Sequence, residues 1–199
     1  SSKSPIFKLG TSRPGLTSSD LFVQALKNAL DHRFSMLCVV QLEEANDILS
    51  LVLVGPTGIW VILPCDDKGV FQVNETSWDG LNSRTGEYKP VKPNPIQIVV
   101  SQVEALARKL SSQGLEHLPL EPVVYFSDPG AHVHSNRPSA RIVLVDGLER
   151  FINSVWMAPV AMDGDTVQLV VTELLGEPSQ TPPVLAGEVR DAYSLQEVP

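Results

Sequence analysis

Four side chains are of types that a metal-dependent hydrolase could use. Asp47 opens an apolar run, Asp67 and Lys68 follow a second run just before Gly69, and Gln97 lies two residues into a helix that begins at Pro95. Paired carboxylates hold a hard cation such as magnesium or manganese through oxygen, and the cation makes bound water a nucleophile. An ammonium beside them would stabilise the developing negative charge. Asp47 lies two residues before Leu49 and Asp67 two beyond Cys65, so each shares a strand face with that apolar neighbour. Against a working site, Asp66, Asp67 and Lys68 have the composition of a turn, and Pro64 interrupts the strand that would present them.

Other candidates carry less chemistry. His132 and His134 put two imidazoles on one side of an extended segment near Asp128, which suits zinc, but no third and fourth ligand follow and the segment reads as an exposed loop. His32 and His117 stand alone at expected helix ends. Gly55-Pro56-Thr57-Gly58 lacks the GK[ST] of a phosphate loop, Ser127-Asp128-Pro129-Gly130 has turn chemistry, and there is no GxSxG elbow. Cys38 and Cys65 sit in apolar runs without metal spacing and read as buried, reduced thiols of a cytoplasmic protein. Trp60, Trp78 and Trp156 have no interleaved basic residues and read as core or edge anchors rather than a base-stacking platform.

The elements that must position these groups follow from periodicity. Ser18, Ser19 and Asp20 offer N-caps for a helix over about 19–32. Apolar runs at 34–42, 48–54 and 59–63 predict three strands, the first two joined through the polar residues 43–46 and the last two through the turn at 55–58. These runs do not alternate cleanly, so the sheet is expected to be covered on both faces. A short strand is expected at 69–73, then a long loop over 74–94 anchored by Trp78, then a helix from Pro95 to near Gly114. Strands at 119–126 and 141–145 flank a loop at 127–137, a short helix follows at 147–156, and 166–175 is strand or helix. The domain plan is an arm at 1–17, a folded domain at 18–160, and an extension or linker at 161–199. There is no internal repeat and no charge block.

This arrangement resembles the nuclease-related domain (NERD) family of the restriction-endonuclease-like superfamily. The resemblance is carried by Leu51-Val52-Leu53-Val54-Gly55-Pro56, by Gly58-Ile59-Trp60-Val61-Ile62, by Gly69 and Trp78, and by Asn94-Pro95 opening a helix with Glu104-Ala105-Leu106. It implies an α/β fold, a three-layer sandwich with a central mixed β-sheet flanked by helices. In such nucleases a second-strand acid and an acidic-x-Lys pair on the third strand bind a divalent metal. Aligned to that pattern, the second-strand acid falls on Leu49, the acidic-x-Lys positions on Leu63 and Cys65, and the helical glutamine on Ile98, with Gln97 beside it. Asp20 matches the first-helix acid at looser spacing.

The 199 residues are enough for one sizeable core. No apolar run approaches the roughly 18 residues of a membrane span, so no membrane partner is expected. A net charge of -8, with only short basic clusters at Lys89, Lys92 and Arg108-Lys109, disfavours nucleic acid as a partner. Beginning at Ser1 without Met or a signal segment, the chain is expected to be a domain of a longer protein. The leading expectation is an inactive nuclease-related domain without metal or cofactor, serving a protein partner or neighbouring domain. The alternatives are a magnesium or manganese nuclease, or DNA-binding domain, on a rearranged Asp47, Asp67 and Lys68 site, and a small-molecule binder using a vacated apolar cleft.

Overall fold

The computed structural model describes residues 18–42 and 47–175. The expected joint at 43–46, the arm at 1–17 and the tail beyond 175 lie outside the described residues. Helix α1 (Ser18–Ala29) leads into β1 (Ser35–Leu42), β2 (Asp47–Gly55) and β3 (Gly58–Cys65), an antiparallel meander. The helix stops short of the expected His32 because Asp31 Oδ1 accepts from the Arg33 amide at 3.0 Å, a local bond that builds a turn. Gly58, at φ 155°, completes the tight turn between β2 and β3.

Two strands follow that the sequence did not announce. Past β4 (Gly69–Asn74), the expected loop at 74–94 contains β5 (Ser77–Leu81) and β6 (Tyr88–Pro90). Both are short and mostly polar or exposed, so they lack the apolar alternation that marks a strand. Trp78 does anchor the segment, in a three-ring cluster with Phe71 at 4.9 Å and Phe126 at 5.5 Å, which are themselves 6.1 Å apart. Gly80 lets β6 close in, since a Cβ there would stand 2.7 Å from Val91 Cγ2.

Helix α2 (Pro95–Ser112) is the crossover that returns the chain to β7 (Leu120–Phe126), parallel to β3. Asn94 caps it, its Oδ1 accepting from the Ile96 and Gln97 amides, while its Nδ2 donates to Thr76 O at 2.8 Å. The expected loop at 127–137 holds another strand, β8 (Ala131–Asn136), parallel to β4. β9 (Arg141–Leu144), α3 (Leu148–Met157) and α4 (Gly164–Leu175) complete the described fold.

The main sheet runs β1-β2-β3-β7-β9 and the second β6-β5-β4-β8. The parallel pair β3/β7 breaks at Cys65–Gly69 and Phe126–Ala131 and resumes as β4/β8, so one pair of chain segments serves both sheets. Helices α2 and α4 cover one face of the main sheet and α1 and α3 the other, with a buried cluster on each side. The fold is thus α/β with a central mixed sheet between helices, a restriction-endonuclease-like sandwich. Val167, Val170 and Leu174 of α4 belong to the larger cluster, so the core extends past the expected boundary near 160. Among the described residues no helix is long and apolar enough to cross a membrane.

Candidate functional site

Leu49, Leu63, Cys65 and Ile98 converge on one side of the main sheet. Leu49 and Leu63, 0% and 5% exposed, belong to the cluster beneath α2, and Cys65 and Ile98 pack against it. Strict alternation would put Leu49 with Leu51, which faces α1 in the other cluster. Instead Leu49 and Val52 on β2, and Leu37 and Val40 on β1, share the α2 face although each pair is three residues apart. The slip lies between the paired rows Cys38↔Leu51 and Val40↔Leu49, where Val39 has φ 56° and is 71% exposed. A β-branched residue rarely adopts that region, and here it marks the point where both strands change phase.

The expectation for Cys38 is also corrected: on β1, the edge strand of the main sheet, it is exposed rather than buried. Cys65 is different: burial, reinforced by Asp67 and then Asp66, pushes its thiol up from 9.0 to about 12. The fold therefore favours the neutral thiol, an advantage complete below pH 9.0 and lost as pH rises toward about 12. Ellman's reagent at about pH 8 is expected to titrate Cys38 in the native protein and Cys65 only after unfolding. Equal reaction of both thiols in the native state would contradict this environment.

Asp67 and Lys68 are exposed in the turn between β3 and β4. Asp66 accepts from Ser127 Oγ at 2.7 Å and the Ser127 amide donates to Cys65 O at 3.2 Å, bonds that tie the two breaks between sheets together. Asp47 is the first residue of β2, its backbone paired with Leu42, and its side chain lies outside the described residues. Gln97 is exposed in the first turn of α2, and Asp20 is exposed in the first turn of α1. Asp128 accepts from the Gly130 amide at 2.7 Å, the turn chemistry its sequence predicts. His32 and His117 are exposed, and His132 and His134 lie on β8 rather than in a loop. Among the described residues no group of three or more His, Cys, Asp or Glu side chains is placed to hold a metal.

One polar residue of the site was not legible beforehand. Gln102 is 8% exposed, its Nε2 donates to Ile48 O at 2.9 Å, and its Oε1 has no partner among the described residues. It lies one turn past Ile98 on the same face of α2, so an amide does reach the start of β2, one residue before Leu49. The available signal was its place in the stripe Val99, Gln102, Leu106 and Leu110, where only apolar residues would be expected.

Leu49, Leu63, Cys65 and Ile98 together offer no oxygen donor, so they do not fit magnesium or manganese. The surface has grooves elsewhere: one of about 330 Å³ beside Phe71, Gly80 and Val91, and one of about 310 Å³ between Leu26, Leu30 and Met36. Neither is lined by the four converging residues. A family model described as nuclease-related domain matches residues 15–127, a span that contains every position of this convergence. No curated protein and no solved structure matches the chain.

Proposed function

The chain belongs to the nuclease-related domain family, and from that premise we propose that it keeps the fold as an interaction or scaffolding module of a larger protein and not as a nuclease. The observation that carries this reading is the burial of Leu49 and Leu63 in the core at the positions where the family pattern calls for carboxylates. A cation there would need several oxygen ligands, and these side chains give none. The net charge of -8 adds a long-range repulsion of polyanions. What the module binds is a protein surface or an adjoining domain.

The competing reading is a rearranged site on Asp47, Asp67 and Lys68 that takes magnesium or manganese. Purified protein is expected to leave single-stranded, duplex and nicked DNA intact with either metal, and to give no heat on titration with manganese at about millimolar concentration. Metal-dependent cleavage that disappears in Asp47→Ala would overturn the inactive reading.

A further inference from the structure

Finding a strand at Ala131–Asn136 changes what His132 and His134 can do. Residues two apart on a strand project from the same face with Cα atoms about 6.6 Å apart, whereas a loop fixes no such relation. In the parallel register with β4, His132 stands beside Val70, His134 beside Gln72 and Asn136 beside Asn74. That this is one outer face is shown by Asn136 Nδ2 donating to Asn74 Oδ1 at 3.4 Å, and by Phe71 and Val73, the intervening residues of β4, being buried on the other side. Both histidines are exposed, and among the described residues β8 is an edge strand paired only with β4, so no described strand crowds its outer side.

We propose that His132 and His134 form a two-imidazole chelate for a borderline transition metal, zinc or copper(II), on the outer face of the second sheet. Imidazole nitrogen suits these metals at about 2.0–2.1 Å, while magnesium and manganese prefer oxygen. The site therefore takes a different class of ion from the family's nuclease centre and does not depend on the state of that centre. Asp79 pairs with Gln72 and so shares the row of His134, while Lys68 precedes the row of His132. With one charge of each sign flanking the pair, binding rests on coordination by the two nitrogens. Water completes the coordination shell, since the strand supplies only these two ligands.

The test uses the full chain without a histidine tag. Zinc titrated calorimetrically is expected to bind one to one, and His132→Ala or His134→Ala to weaken it by about a hundredfold through loss of the chelate, with His117→Ala unchanged. Copper(II) added to the unaltered protein is expected to give a spin-resonance spectrum with two coupled imidazole nitrogens, a readout that needs no variant to fold. Absence of zinc binding, equal affinity in the double variant, or a copper spectrum with a single imidazole nitrogen would each overturn the chelate.

Discussion

Leu49→Asp, which restores the family's acidic side chain, is expected to unfold the protein rather than revive a metal site. Leu49 is fully buried in the larger cluster. Trimming it to alanine would already cost about 2–5 kcal/mol in lost packing. A carboxylate adds the penalty of an unpaired buried charge, about 3–5 kcal/mol in comparable cases. The sum is on the scale of the total stability of a domain, about 5–15 kcal/mol. Urea unfolding followed by circular dichroism should show Leu49→Ala folded with a lowered midpoint and Leu49→Asp largely unfolded near neutral pH. The pH dependence separates the two contributions. Burial raises the pKa of the introduced carboxylate in the folded state, so its ionisation penalty grows above an unfolded pKa of about 3.9 and vanishes below it. Acid should therefore narrow the gap between the aspartate and alanine variants. A Leu49→Asp protein that keeps the native midpoint and binds manganese would mean that the position opens onto a usable cavity, and the scaffold reading would fail.

That experiment turns on a feature the sequence shows only in part. The apolar density of β2 and β3 announced strands covered on both faces, and Asn94-Pro95 announced the start of α2, because burial and capping leave local signatures. β5, β6 and β8 left none. Their exposed polar residues resemble loop composition: β5 and β6 pair locally in short hairpins without apolar alternation, and β8 takes its hydrogen bonds from β4, far back along the chain. The phase slip at Val39 is likewise invisible to a rule of strict alternation, although it decides which face Leu49 occupies. The family positions were placed by motif register. Their packing, and the amide of Gln102 among them, depended on how three separate elements meet.

Trp78→Ala is expected to cost about 3–5 kcal/mol, and to cost it unevenly across the fold. The indole lies nearly parallel to Phe126 of the main sheet, at 5.5 Å and 7°, and against Phe71 of the second sheet at 4.9 Å. It therefore packs across the junction of the two sheets, against the residue at which β7 breaks off. Its Nε1–H is buried without a partner among the described residues, so part of its packing energy is offset by a desolvated donor. Trp78→Phe removes that donor while keeping a ring against Phe71 and Phe126, and should fall within about 1 kcal/mol of the original protein. Hydrogen exchange distinguishes a local effect from a general one. In Trp78→Ala the amides of β4, β5 and β8 should lose protection first, followed by the first turn of α2, which Asn94 ties to Thr76 O just before β5. The amides of β2 and β3, pinned between two clusters, should open last. Uniform loss of protection would show that the second sheet is not a separable layer, and an equal penalty for phenylalanine and alanine would show that a phenyl ring cannot stand in for the indole in this cluster.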